Sequence, residues 1–166
     1  MQLPTNVSSL HLKSLGGHHA EEVYELIQHN RQHLTRYGDY EDLVIKDLDS
    51  IRLDIANTPS HESAFGLLLE TQMIGTVSLI KYEEYVFGLG YWRAENYSGH
   101  GYMTEAVRTL VDFSISSQGA TELWAGIKPG NIPSINLAKR LGFRLAREQP
   151  SHVSYKLTIS QQTYHI

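Results

Sequence analysis

Apolar and polar positions change their spacing several times along the chain, and each change marks the edge of an element. Residues 10–15 alternate, which predicts a first strand closed by Gly16 and Gly17. From His19 the apolar positions become Ala20, Val23, Tyr24 and Ile27 on one helical face, with Glu21, Glu22 and Glu25 early, where the helix dipole favours them. That pattern runs out near Leu34. Residues 35–43 are polar and predict a loop. A helical period resumes over 44–57 through Leu48, Ile51, Leu53 and Ile55 and stops at Thr58-Pro59. Residues 64–70 and 73–82 read as a hairpin turning at Thr71-Gln72, and 86–93 as a third strand. There Phe87, Leu89 and Tyr91 alternate with Gly88, Gly90 and Trp92. From Met103 the spacing becomes helical through Ala106, Val107, Leu110 and Phe113. A strand over 122–127, a helix over 134–141 and strands over 143–147 and 152–157 complete the pattern, followed by a loose tail at 160–166. Antiparallel strands followed by a strand-helix-strand crossover predict an α+β fold, in one domain over residues 1–166.

The change of period near residue 100 is the most informative stretch. Gly99 and Gly101 remove two Cβ atoms where the first amides of a new helix have no intrahelical partner and carry the positive end of its dipole. Such a turn can cradle phosphate. A plain glycine turn joining strand to helix fits the spacing equally.

Composition narrows the chemistry. The chain has 166 residues, enough for a real core without disulfides or metal, and no cysteine, so thiol nucleophiles, disulfides and thiolate metal sites are excluded. The first residues lack a basic segment followed by an apolar core, and no apolar run is long enough to span a bilayer, so the expected setting is the cytoplasm. The net charge of −4 is unevenly spread. Residues 1–84 carry 13 acidic and 6 basic side chains, and residues 85–166 carry 5 acidic and 8 basic. The glycine turn therefore lies in the basic part, as an anionic ligand prefers, and no Lys/Arg stripe points to nucleic acid. His29 and His33 stand four apart, a spacing that puts two imidazoles on one helical face. Neither a thiolate nor an HExxH pattern accompanies them, so no metal is expected.

Several segments together resemble a family. Leu89-Gly90-Tyr91-Trp92, the run from Ser98 to Ala106, Asn131-Ile132-Pro133-Ser134 and Leu141-Gly142-Phe143 resemble the Gcn5-related N-acetyltransferases (GNAT). With Asn30-Arg31 and Leu34, they look most like the RimJ/RimL branch, which acetylates the N-termini of ribosomal proteins. The resemblance implies a mostly antiparallel twisted sheet, splayed at its central parallel strands and flanked by about four helices. It implies acetyl-coenzyme A as co-substrate, its diphosphate on the turn formed by Ser98, Gly99, His100, Gly101, Tyr102, Met103 and Thr104. Its pantetheine arm would pair like an extra strand with the backbone at Tyr91, Trp92 and Arg93. Met103 stands where a second small residue is usual and is expected to narrow the turn. Asn131 would touch the cofactor, which is compatible with its capping a helix. Ala138 occupies the place of a tyrosine that in many relatives is proposed to protonate the departing thiolate. Ser134 matches the serine given that role in the branch, although helix-start chemistry also accounts for it.

The resemblance also implies an acceptor pocket at the end of the first helix and the loop after it, here Asn30, Arg31, Tyr37 and Tyr40. The reaction is direct attack of an amine on the thioester. An α-amine with a pKa of about 8 needs only a weak base, whereas a lysine at about 10.4 needs a strong one. Glu84, at the entry to the central strand with Glu83 behind it, is the expected carboxylate, although solvated hairpin residues also fit both; Gly88 and Ala146 stand where the branch often places glutamates. A protein N-terminus is the expected acceptor, with small amines such as polyamines or aminoglycosides as the alternative. An inactive coenzyme A-binding relative is a third reading. A dinucleotide-binding oxidoreductase is excluded, because Thr104 replaces the third glycine and no second βαβ unit follows. Monomer and homodimer both remain open.

Overall fold

The computed structural model describes residues 1–160; apart from Ser160, the expected tail lies outside the described residues. The strands are β1 (Gln2–Pro4), β2 (Leu10–Ser14), β3 (Glu62–Leu69), β4 (Gln72–Glu83), β5 (Val86–Arg93), β6 (Glu122–Ile127), β7 (Arg144–Glu148) and β8 (Val153–Thr158). The helices are α1 (Ala20–His29), α2 (Arg31–Thr35), α3 (Glu41–Val44), α4 (Leu48–Ala56), α5 (Tyr102–Gln118) and α6 (Ile132–Arg140). One sheet holds all these strands in the order β1-β2-β3-β4-β5-β6-β8-β7. Every neighbouring pair is antiparallel except β5 and β6, which run parallel because α5 crosses over between them.

The parallel pair is the functional joint of the sheet. Val86, Phe87 and Gly88 stand opposite Glu122, Leu123 and Trp124, and the pairing then ends although β5 runs on to Arg93 and β6 to Ile127. The two strands therefore part and leave a gap. On the other side of β5, the Ala94 amide donates to the Ile74 carbonyl at 2.8 Å. Alternation along the strand then turns the backbone groups of Trp92 toward β4 and those of Tyr91 and Arg93 into the gap.

Two cores hold the sheet. One face carries Leu10, Leu12, Phe65, Leu67, Val77, Leu123 and Ala125 against Ala106, Val107 and Leu110 of α5 and Ile135, Leu137 and Ala138 of α6. The opposite face packs Met73 and Trp92 against Ala20, Val23 and Ile27 of α1 and Ile51 of α4. Full burial of a Val, Leu, Ile, Phe or Met side chain contributes about 1.5–3 kcal/mol, so both faces are firmly covered. The result is a mixed α/β architecture with four longer and two short helices.

Local differences from the sequence reading have local causes. The first helix breaks at Asn30, whose side-chain amide donates to the Leu26 carbonyl at 2.8 Å while its oxygen accepts the Glu95 amide at 2.9 Å. The break puts His29 and His33 on different helices, so they do not share a face. α3 spans the end of the expected loop and the first residue of the helix expected over 44–57, which begins only at Leu48, and β1 is a short edge strand that the pattern did not reveal. Glu70 and Tyr85 adopt left-handed backbone at φ 56° and 69°, which moves the first hairpin turn to Glu70-Thr71 and places the second at Glu84-Tyr85.

Candidate active site

The gap between β5 and β6 opens into a cleft of about 1090 Å³. Four regions meet there: the segment from His33 to Tyr40, the end of β5 from Leu89, the glycine turn with the start of α5, and the first half of α6. At the turn, Gly99 and Gly101 have φ of 78° and 74°, a left-handed conformation that side chains disfavour. A Cβ added at either would meet nothing within 4 Å, so the cradle is open. Gly101 immediately precedes α5, and the amides of its first turn point outward with the helix dipole behind them.

The motif's one carboxylate, Glu105, does not face this cradle. It is buried, accepts the Asn6 amide at 2.8 Å and pairs with Arg108 at 2.7 Å, which ties α5 to the β1–β2 connection. Arg93, Arg108 and Arg140 line the cleft, with Arg140 donating to the Thr104 hydroxyl at 3.2 Å and Arg93 to the Ser98 hydroxyl at 2.7 Å. The anion-ready turn thus has basic neighbours from two other elements.

Across the gap lies a polar network. Asn131 caps α6, its Oδ1 accepting the Ser134 amide at 3.3 Å and its Nδ2 donating to Asp39 at 3.5 Å. The Ser134 hydroxyl meets the Tyr91 hydroxyl at 2.9 Å. The Tyr40 hydroxyl donates to the Tyr91 carbonyl at 2.7 Å, so one of the carbonyls facing the gap already has a partner. Burial pushes the Tyr91 and Tyr40 phenols above their ordinary pKa, and both remain neutral donors. Burial also raises the carboxyl of Asp39 above the usual carboxylate range.

Of the residues expected from the sequence, Tyr91, Arg93, Ser98, Gly99, Gly101, Tyr102, Thr104, Asn131, Ser134, Tyr37 and Tyr40 all line the cleft. Trp92 and Met103 line it too, but both side chains are buried in the cores, so Met103 does not narrow the turn as expected. His100 lies beside the cleft with its ring stacked 5.3 Å from that of Tyr102.

Three expectations are corrected. Asn30 is committed to holding α1 and the Glu95 amide, and Arg31 is exposed and bonded to Gln28 at 2.8 Å, so neither reaches the cleft. Glu84 sits in the turn after β4, next to Tyr85, whose ring lies beside Gly119 at the far end of α5. With 17 residues, α5 is about 25 Å long, so Glu84 and Glu83 stand a helix length from the glycine turn. At Gly88, the Tyr82 phenol fills the space where a side chain would be, its hydroxyl 2.3 Å from an added Cβ.

Sequence reasoning missed Asp39, Arg108, Arg140 and the side-chain role of Tyr91. The polar run 35–43 marked the loop but could not say which of its carboxylates turns inward.

Comparison with known proteins agrees with this geometry. Residues 9–144 match the acetyltransferase (GNAT) domain family. The chain belongs to this family. The Bacillus subtilis (strain 168) protein named Probable N-acetyltransferase YjcK is 33% identical over 88 residues, covering 50% of this chain and 49% of its own. The chain thus aligns with about half the length of that curated relative. The ribosomal-protein-serine acetyltransferase of Escherichia coli (strain K12) is 24% identical over 143 residues, 82% of this chain and 80% of its own. Among solved structures, RimL, the ribosomal L7/L12 alpha-N-protein acetyltransferase in complex with coenzyme A, superposes with a TM-score of 0.81 at 18% identity over 96% of this chain and 98% of its own. The microcin C7 self-immunity acetyltransferase MccE, in complex with acetyl-CoA and AMP, gives 0.78 at 21% identity over 91% and 93%. The splayed sheet is the GNAT fold. Among the described residues no group of three or more His, Cys, Asp or Glu could hold a metal ion.

Proposed function

We propose that this GNAT protein transfers the acetyl group of acetyl-CoA to a protein N-terminal α-amine. The observation that carries the reading is that the anion-ready turn at Gly99 and Gly101, the free edge of β5 and the Tyr91–Ser134 hydroxyl pair open into one cleft. The turn and the start of α5 receive the diphosphate, with Arg140 and Arg108 near enough to neutralise it. The edge of β5 at Arg93 and Tyr91 offers main-chain groups to the pantetheine amides. The cleft thereby presents the thioester to Ser134, whose hydroxyl donates to the sulfur as it leaves. Tyr91, neutral and bonded to the Ser134 oxygen, supplies the second donor, a phenol contributed by β5 where Ala138 leaves α6 without one.

An α-amine of pKa about 8 needs only a weak base, and a carboxylate of the cleft wall meets that need. Tyr37, Tyr40 and Asp39 form one wall, wide and polar enough for the first residues of a peptide. RimL-type neighbours and the Escherichia coli ribosomal-protein-serine acetyltransferase support a protein N-terminus. Incubation with acetyl-CoA and a panel of short peptides with free N-termini, read by mass spectrometry, tests this. The expected product is a single acetyl on the α-amine. Acetylation of polyamines or aminoglycosides with peptides left untouched would replace this acceptor with a small molecule.

A further inference from the structure

We propose that Asp39 binds the acceptor's ammonium group in the cleft and takes the proton that the amine must lose before it attacks. This inference rests on the acetyl-transfer reading above. Among the described residues, two carboxylates line the cleft, Asp39 and Glu95. Glu95 is occupied: it pairs with Arg36 at 2.8 Å, lies 4.0 Å from His33 and is half exposed. Asp39 forms no ion pair with any described residue. Its hydrogen bond from Asn131 is long, at 3.5 Å. A half-buried carboxylate in no ion pair, with Lys128 acting on it only from a distance, is one that an incoming ammonium can neutralise without displacing a bonded partner.

The loop also fixes where that carboxylate points. Gly38 and Tyr40, on either side of Asp39, both have left-handed backbone, at φ 83° and 58°. Tyr40 is then anchored through its hydroxyl to the Tyr91 carbonyl. On the other side of the gap, the Asn131 side chain that donates to Asp39 accepts the Ser134 amide. One asparagine therefore links the carboxylate to the turn that carries the sulfur-facing hydroxyl. The groups facing Asp39 are Lys128 from the β6–α6 connection, Asn131 from the start of α6, the neutral phenol of Tyr91 from β5, and Tyr37 and Tyr40 from its own loop. Lys128 lowers the carboxyl's pKa, but burial outweighs it and raises the group toward the range where a base of this kind works best.

The acceptor ammonium gives one proton to the Asp39 carboxylate, and its freed lone pair forms a C–N bond to the thioester carbonyl carbon. The C–S bond breaks, and sulfur leaves with the bonding pair and takes up the second proton shed by nitrogen, relayed by the Ser134 and Tyr91 hydroxyls. The products are the amide and the free thiol, and Asp39 returns its proton to water.

Asp39→Asn keeps the shape and the approach of Asn131 but removes the charge. Initial rates are measured from pH 6.5 to 9.5 with acetyl-CoA and a peptide bearing an N-terminal serine, with spermidine as a second acceptor. At pH 7 the variant should lose about tenfold in kcat/KM for the peptide, the factor by which an α-amine of pKa about 8 is protonated there, with KM for acetyl-CoA within about twofold. The deficit should shrink above pH 8, where an α-amine of pKa about 8 sheds its own proton. The melting temperature should be unchanged or slightly higher, because a half-buried charge is gone. Equal rates at pH 7, or a deficit that stays constant across the pH range as a merely structural defect gives, would overturn the proposal. A wild-type protein that acetylates spermidine and no peptide refutes the N-terminal acceptor, and Asp39 is then judged on spermidine, with its higher amine pKa, by the pH 7 loss. Turnover of neither acceptor overturns both readings.

Discussion

Strand alternation gives Tyr91 and Trp92 opposite fates. Tyr91 turns its carbonyl into the gap and its ring toward α6, where its hydroxyl meets Ser134. Trp92, one position on, sends its ring into the core against α1. A hydroxyl next to a leaving thiolate acts through its donated hydrogen, so Ser134→Ala, which also strips Tyr91 of its partner, should lower kcat by about 10²-fold while leaving the dissociation constant for acetyl-CoA nearly unchanged. Steady-state kinetics beside calorimetry separates these effects, and unchanged turnover would remove Ser134 from the mechanism. The role given to Ser134 came from resemblance, but the helix start at Asn131 and Ser134 was legible in the sequence because a capping pattern is local. Asp39 and the ring of Tyr91 were not, because each acquires its role from a partner tens of residues away: Asn131 for one, Ser134 for the other. Glu84 failed for a complementary reason, since proximity in sequence to β5 says nothing about which end of the strand faces the cleft.

At the scale of elements, α5 and its glycine turn were readable because the hydrophobic period changes sharply there. α3 and the break between α1 and α2 were hidden, since four- and five-residue helices carry too few apolar positions to show a period and depend on tertiary bonds such as those of Asn30. The entry to α1 carries a pH dependence of its own. The imidazole Nδ1 of His19 accepts the Gly16 amide at 2.9 Å, which requires that nitrogen to be unprotonated. Burial, with the neighbouring His18 and Lys13, lowers the pKa of His19 below 6.5. A depressed histidine contributes stability that is present above the unfolded pKa and lost as the pH falls through the folded one. The melting temperature of the wild type should therefore drop from pH 7 to pH 5 by more than that of His19→Asn, whose side chain has no proton to gain. Parallel pH curves for the two proteins would show that the Gly16 bond does not titrate.

At the scale of the whole molecule, the two cores clamp the sheet from both faces while three residue pairs alone join its parallel strands. The fold class followed from the sequence because hairpins followed by a crossover leave few topologies open. The extent of the splay was implied only by family resemblance, because no local pattern tells a strand where its pairing stops. The gap turns a sheet edge, a helix N-terminus and a hydroxyl pair toward one volume, and the central claim is that this volume binds acetyl-CoA through the turn before α5. Calorimetric titration of the wild type and of Gly101→Val with acetyl-CoA, with NAD as control, tests it most directly. Valine at φ 74° strains the backbone by about 1–2 kcal/mol and puts a branched side chain into the open cradle. The account expects one saturable site for acetyl-CoA in the wild type, none for NAD, and affinity at least tenfold weaker in the variant. Equal affinity in the two proteins, or no binding of acetyl-CoA to the wild type, would contradict it.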